Sequence, residues 1–111
     1  MSAAAFDPGW LRHRIVIEAA TPAGDGAGGE TLAWATVATL WSRIDPVAAS
    51  ERSAGEHLAT VATHRVTIRW RDDVTGGMRV AYRGRYFRIA ATRDPDETQR
   101  YLELTAIEER P

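Results

Sequence analysis

Short segments in which apolar and polar residues alternate run along most of this chain, and they predict β-strands with one buried face. The clearest is His64–Arg71, where one face carries an apolar row and the other carries Arg65, Thr67, Arg69 and Arg71. Further strands are predicted at Arg12–Ala19, Trp34–Ile44, Met78–Tyr82, Arg85–Thr92 and Tyr101–Glu108. Trp34–Ile44 is apolar on both sides, which is typical of a strand that is covered on both faces or lies at a subunit contact.

Turn-forming residues separate these segments. Arg83-Gly84 predicts a tight hairpin between two of the strands. The glycine-rich Pro22–Gly29 predicts a flexible loop, and Arg93–Gln99 a polar loop. Val47–Thr63 differs, because Ser53-x-x-Glu56 resembles a helix capping box and the apolar residues after it recur at helical spacing. Val47–Thr63 therefore predicts an excursion from the strand pattern, either a short helix or a loop.

The pattern as a whole predicts an all-β fold. We expect a single domain over residues 1–111, a small antiparallel β-barrel of about six strands with that one excursion. The expected core consists of the apolar residues that share a phase within five of the strands: Ile15, Ile17, Val66, Ile68, Val80, Phe87, Ile89, Leu102 and Leu104.

Composition narrows the class of protein. The 111 residues are 44% hydrophobic and 26% charged, which is typical of one soluble globular domain. A net charge of -1 argues against a strongly basic, histone-like nucleic-acid binder. The absence of cysteine excludes disulfides, thiolate metal sites and a cysteine nucleophile. No signal peptide and no membrane span is apparent, so we expect a cytoplasmic protein without a membrane role.

Candidate catalytic residues do not form a recognisable set. Ser2, Ser42, Ser50 and Ser53 lie outside any Gly-x-Ser-x-Gly elbow. The histidines, His13, His57 and His64, are widely spaced and suggest no metal site, and His64 is expected to be a part-buried, hydrogen-bonded core histidine. Asp72-Asp73 is interpreted as a solvated turn. We therefore expect no enzyme activity, no cofactor and no metal.

Arginine is the most informative residue type, since all 14 basic residues are arginine. Arg65, Arg69 and Arg71 form a row on one strand, and more arginines cluster in the following hairpin. Such a row could lie near nucleic acid, or it could be a solvated or inter-subunit face paired with Glu and Asp. The near-neutral net charge favours the second interpretation. We expect a ring interface in which carboxylates of Asp94–Glu97 and Glu103–Glu109 from the next copy pair with otherwise unpaired arginines.

The order of several motifs resembles the phage head–tail joining family, also called head-completion or stopper proteins, with its gene transfer agent counterparts. The matching stretches are Leu11–Ile17, Trp41–Pro46, Thr63–Arg71, Met78-Arg79-Val80, Tyr82–Ile89 and Leu102-Glu103-Leu104. The resemblance extends from about Trp10 to Glu108.

This resemblance implies a virion structural protein without enzymatic activity, assembled in the host cytoplasm and placed at the neck of a tailed particle. It would form a ring of six or twelve subunits between the portal adaptor ring and the tail terminator ring. The ring would close the exit channel for double-stranded DNA after DNA packaging and give the tail a docking surface. The gate would lie in Val47–Val61, at Ala48, Ala49, Ser50, Glu51, Arg52, Ser53 and Glu56.

Two other classes of protein stay open from the residues alone. An OB-type module that binds single-stranded nucleic acid would use Arg65, Arg69 and Arg71 with exposed Tyr82 and Tyr86. A small hydrolase is disfavoured because no nucleophile has a suitable sequence setting.

Overall fold

Six antiparallel strands close into a barrel in the computed structural model, which describes residues 8–24, 30–47 and 62–109. After one 3-10 turn at Pro8–Trp10, the strands are β1 (His13–Gly24), β2 (Glu30–Pro46), β3 (His64–Arg69), β4 (Arg79–Tyr82), β5 (Arg85–Arg93) and β6 (Tyr101–Glu109). Their order around the barrel is β1-β2-β3-β6-β5-β4. The prediction of a small all-β antiparallel barrel is confirmed, while the excursion expected after Val47 lies outside the described residues.

The interior is built from alternate residues of neighbouring strands. Cross-strand partners such as Val66 with Leu104, and Val80 with Phe87, point to the same side of the sheet and meet inside the barrel. All nine residues predicted for the core are buried in one cluster, which Val74 and Ala106 complete. Burial of each large apolar side chain stabilises the fold by about 1.5–3 kcal/mol.

The predicted hairpin between β4 and β5 is also confirmed. Arg83 and Gly84 both have positive φ angles, 49° and 78°. Two consecutive positive φ values give a turn whose twist matches that of the flanking strands, and glycine adopts the second without steric cost.

The first two strands are longer than predicted. β1 continues through Pro22 to Gly24, and β2 begins at Glu30, so part of the expected Pro22–Gly29 loop is strand. These residues lack apolar alternation because they lie beyond the barrel. β1 pairs with β4 only over Val16–Glu18, and β2 pairs with β3 only over Arg43–Pro46.

The extended part of this hairpin is called the arm, consisting of Ala19–Gly24 of β1 and Glu30–Thr36 of β2. A β-bulge marks its base, since Ile17 pairs with Ala38 but Glu18 pairs with Thr36. The extra residue, Val37, packs against the barrel core. The arm is thus a two-stranded ribbon that starts where the pairing with β4 ends.

β3, by contrast, ends before its predicted limit. The strand stops at Arg69, and the Trp70 amide donates a 2.9 Å hydrogen bond to the Arg100 carbonyl. The chain then bends at Asp72-Asp73, both exposed, as the solvated-turn interpretation expected. Thr67, expected on the outer face, is buried because it lies between cross-strand neighbours with long side chains, Arg43 and Glu103.

Candidate functional site

A groove opens on the outer surface where β2 and β3 separate. Arg43 with Thr67 is the last residue pair between the two strands on this side. Beyond it lies a cavity of about 240 Å³ lined by Leu11, Leu40, Trp41, Arg69, Trp70 and Arg71. We call it the β2–β3 groove. It combines an apolar lining with two guanidinium groups, a chemistry suited to contact with another protein.

Trp41 is the most unusual residue of this groove. It is 54% exposed, although tryptophan is normally largely buried. The Arg14 guanidinium lies 5.7 Å from its ring centre. About half of Trp41 stays exposed beside Arg14 in the described structure, which does not fit the interpretation of this strand as covered on both faces.

The predicted arginine row is divided by the structure. Arg69 and Arg71 line the groove, whereas Arg65 lies further along β3, with its Nε 3.7 Å from Glu103 Oε1. Within the described residues no carboxylate forms an ion pair with Arg69, but Arg71 is paired with Asp73.

Most described arginines already have acidic partners in their own chain. Ion pairs at 2.7 to 3.8 Å join Arg43 to Asp45, Arg71 to Asp73, Arg79 to Glu18, Arg85 to Glu108, Arg88 to Glu109, and Arg93 to Glu103. These six arginines are therefore not unpaired within one chain, as the sequence interpretation assumed, whereas a role of Arg65, Arg69 and Arg71 in inter-subunit or DNA contact stays a prediction. Arg43–Asp45 and Arg71–Asp73 join residues two positions apart. The other four pairs are cross-strand, which sequence alternation alone could not show.

Arg71 and Asp73 form a two-point contact at the groove. Arg71 Nε and Nη2 donate to the two carboxylate oxygens at 2.9 and 2.7 Å. These hydrogen bonds hold the pKa of Asp73 below its usual range and raise that of Arg71. A lowered carboxylate pKa contributes stability that is present above the unfolded-state pKa and is lost as the pH falls through the folded-state pKa.

The Arg71–Asp73 pair should be detectable in the titration of Asp73. Substituting Arg71→Gln removes both charge-assisted hydrogen bonds, so the pKa of Asp73 should rise to its ordinary value. Carboxyl-carbon NMR titration of the folded protein measures the change directly. Asp96 is the internal control, because its pKa is lowered chiefly by a hydrogen bond from Thr98 and should not move. An unchanged Asp73 titration would contradict the pairing.

A second cluster gathers four strands around Arg79. The Arg79 guanidinium lies 4.0 Å from the ring centres of both Trp34 and Tyr86. Its Nε donates to Glu18 Oε1 at 2.7 Å, and Glu18 is its cross-strand partner on β1. We call this set the Arg79 clamp. It joins the short β1–β4 seam to the base of the arm, and sequence reasoning missed it because its members come from β1, β2, β4 and β5.

His13, His64 and Ser42 are held by hydrogen bonds within the barrel, whereas His57, Ser2, Ser50 and Ser53 lie outside the described residues. His64 is part-buried, with Nδ1 2.9 Å from Thr63 Oγ1 and its ring edge-to-face on Phe87, as predicted. His13 Nδ1 lies 2.8 Å from the Tyr82 hydroxyl. Ser42 Oγ donates to the His13 backbone carbonyl rather than to an imidazole ring. The described residues contain no group of three or more side chains that could bind a metal ion.

These contacts also bear on the nucleic-acid alternative. Tyr82 is bound to His13, and Tyr86 stacks on Arg79. Both rings expected to act as base-stacking platforms contact groups of their own chain, and Tyr86 is still 39% exposed, so the OB-type module remains an alternative.

The candidate gate residues, Ala48, Ala49, Ser50, Glu51, Arg52, Ser53 and Glu56, lie outside the described residues. Both ends of their segment, however, lie within the described structure and are hydrogen-bonded. The Val47 amide donates to the Thr63 carbonyl at 2.9 Å, and the Thr63 amide donates to the Ala106 carbonyl at the same distance. The segment thus leaves and re-enters the barrel at one point, beside the end of β6.

Among the described residues no helix is long and apolar enough to cross a membrane. No curated protein matches the chain. Two solved structures are similar over nearly its whole length. The solution structure of protein SF1141 from Shigella flexneri 2a is 29% identical, with a TM-score of 0.73, covering 93% of this chain and 96% of that one. A chain from the virion of a native gene transfer agent particle is 25% identical, with a TM-score of 0.64, covering 88% and 94%.

The family model described as phage head completion protein matches residues 6–110. That span includes all six strands, the β2–β3 groove and the Arg79 clamp. The family is one of structural phage proteins and not an enzyme family, in agreement with the expectation from the resemblance. The chain belongs to the phage head completion protein family.

Proposed function

We propose that this protein forms a ring at the head–tail neck of a tailed phage or phage-like particle, where it closes the DNA exit channel and presents a docking surface for the tail. The observation that carries the proposal is the similarity over 88% of the chain to a protein of an assembled gene transfer agent virion. The ring would contain six or twelve copies, between the portal adaptor ring and the tail terminator ring.

The distribution of charge supports a channel role. Double-stranded DNA must be held in such a channel and later released, and a strongly basic lining would bind phosphate too tightly for release. Here seven of the twelve described arginines lie within ion-pair distance of a carboxylate of their own barrel. Contact with DNA would therefore be non-specific and weak, which suits passage.

We place the gate in the segment after β2, at Ala48–Glu56. Backbone hydrogen bonds fix its two ends at Val47 and Thr63, next to the barrel wall. Small residues such as Ala48 and Ala49 permit close approach between copies around an axis, and Glu51 and Glu56 would repel phosphate.

A deletion in this segment tests both the position of the gate and the position of the protein in the particle. Removing residues 49–55 should leave the barrel folded, with a loss of less than about 1 kcal/mol, since the ends of the segment stay joined by the Val47–Thr63 hydrogen bond. Particles that lack the protein should be complemented by the parent chain, whereas the deletion variant should join the particles but let DNA leak before a tail binds. Nuclease sensitivity of the packaged DNA measures the leak.

The matched control removes charge without removing length, as Glu51→Gln with Glu56→Gln. It should retain more DNA than the deletion, because the segment can still close around the axis. Failure of the parent chain to enter the particles would refute the neck position. Particles that carry the deletion variant and keep their DNA would move the gate elsewhere, to the Pro22–Gly29 region first.

A further inference from the structure

The outer edge of β2 is unusually bare for a natural strand. From Leu32 to Ser42 the strand pairs with β1 on one side, and within the described residues no other strand pairs with its second side. The same holds for β1 beyond Glu18, whose pairing with β4 stops there. The arm therefore has two free edges, one on each strand.

Each edge carries little of the protection that natural proteins use against unwanted pairing. Exposed edges are usually blocked by charged side chains, proline or bulges. Residues 32–42 contain no charged residue, and neither do residues 19–24. The bulge at Val37 and the single Pro22 are the protective features present. Leu32 is 61% exposed on this surface, so water covers apolar area that an assembly could bury.

The geometry of the hairpin favours a second copy of this chain as the occupant. Rotation about an axis that runs along the arm keeps every strand direction unchanged. It places β1 of one copy beside β2 of the next, and because β1 and β2 are antiparallel, the new contact is antiparallel as well. A closed ring requires a contact of this head-to-tail kind, in which one copy supplies one edge and its neighbour supplies the other.

Charge is consistent with this occupant. Burying an unpaired charge is costly, whereas two neutral edges can approach without that cost. Cross-strand partners share a face of the ribbon, and the face that contains Thr21 and Ala33 carries only alanine and threonine among its described pairs. Small side chains allow neighbouring ribbons to lie side by side.

We propose that the arms of neighbouring copies pair edge to edge, with β1 residues Ala19–Thr21 of one copy hydrogen-bonded to β2 residues Leu32–Ala35 of the next. The inference rests on the proposed ring and specifies which surfaces join its subunits. A contact limited to strand edges buries less than the roughly 1,200–2,000 Å² of a stable complex, so it forms within the particle and not between free chains.

Cysteine cross-linking tests this pairing with no background, because the chain has no cysteine. Thr21 and Ala33 are both exposed and lie at the same height on the arm, as cross-strand partners. Thr21→Cys and Ala33→Cys are made in separate chains and mixed before incorporation into particles. Random mixing places the two cysteines opposite each other at roughly one contact in four. Oxidation with copper–phenanthroline, which joins only cysteines whose Cβ atoms are about 3.5–4.5 Å apart, should then give a disulfide-linked dimer from the mixture. Neither variant alone should give one, because like cysteines of neighbouring copies lie two strand spacings, about 9.5 Å, apart.

Each outcome decides the question. A dimer confined to the mixture supports the head-to-tail pairing. A dimer from one variant alone indicates two-fold pairing of like edges and overturns it. Mass spectrometry of the same particles shows whether they contain the protein, and so separates the edge pairing from the ring on which it rests. Particles that contain the protein but give no dimer overturn the edge pairing and leave the neck ring standing, whereas particles without the protein overturn the ring itself.

Discussion

The Phe87→Ala variant should lose about 3–5 kcal/mol of unfolding free energy, the largest effect expected from any single core substitution. Phe87 is the largest side chain that is completely buried. It is the cross-strand partner of Val80, and its ring and that of His64 lie edge-to-face at a centroid distance of 4.8 Å. Truncation to alanine leaves a cavity between strands of the closed barrel, and these strands cannot move together freely to fill it.

That loss is a large part of the total stability of about 5–15 kcal/mol that a domain of ordinary size has. Urea unfolding followed by circular dichroism should show a much lower midpoint with an unchanged slope. Leu32→Ala is the control, since a 61% exposed leucine contributes less than about 0.5 kcal/mol to the folded monomer. Equal midpoints for the two variants would show that Phe87 does not organise the core.

The core was predictable because one physical constraint acts on every strand. A strand with one buried face must alternate apolar and polar residues. The sequence itself therefore shows which side of the sheet is occupied by Val80 and Phe87, or by Val66 and Leu104. The tight turn at Arg83-Gly84 was predictable for a similar local reason, since positive φ values favour glycine.

The arm was not predictable by the same rule. Its residues pair through the backbone and have no interior to face, so their sequence, rich in alanine, threonine, glycine and proline, resembles a loop. The β2–β3 groove depends on where β3 leaves β2. Beyond that point the chain stays attached on the β6 side, where the Trp70 amide donates to the carbonyl of Arg100, a residue far away in the sequence.

Arginine charge was similarly difficult to interpret from sequence. A row of arginines on one strand looks unpaired until the register of the neighbouring strand is known. The β3–β6 and β5–β6 registers bring Glu103 within ion-pair distance of Arg65 and Arg93. Register is a tertiary property, and one shifted residue would place these carboxylates on the opposite face.

Loss of the Arg79 clamp is expected to have the second large effect on the free energy of unfolding. Arg79 and Glu18 are only 19% and 20% exposed, so their hydrogen bond is partly shielded from water. The guanidinium also contacts two aromatic rings at 4.0 Å, each worth about 0.5–2 kcal/mol depending on desolvation. Substituting Arg79→Met keeps much of the side-chain volume but removes the charge, and leaves the Glu18 carboxylate without its partner. We expect a loss of about 2–4 kcal/mol.

The clamp has a local effect that distinguishes it from an ordinary ion pair. It connects Trp34 at the base of the arm to the β1–β4 seam, which consists of three residue pairs. Arg79→Met should therefore accelerate amide hydrogen exchange at Ala19 and Ala35, a cross-strand pair of the arm, more than in β3 or β6, because the arm loses its attachment before the barrel opens. Arg88→Met is the matched control. Arg88 is half exposed and lies 3.8 Å from Glu109, so its loss should change stability by less than about 1 kcal/mol and leave the arm protected. Uniformly faster exchange in the Arg79 variant would mean that the cluster stabilises the barrel as a whole and does not fix the arm.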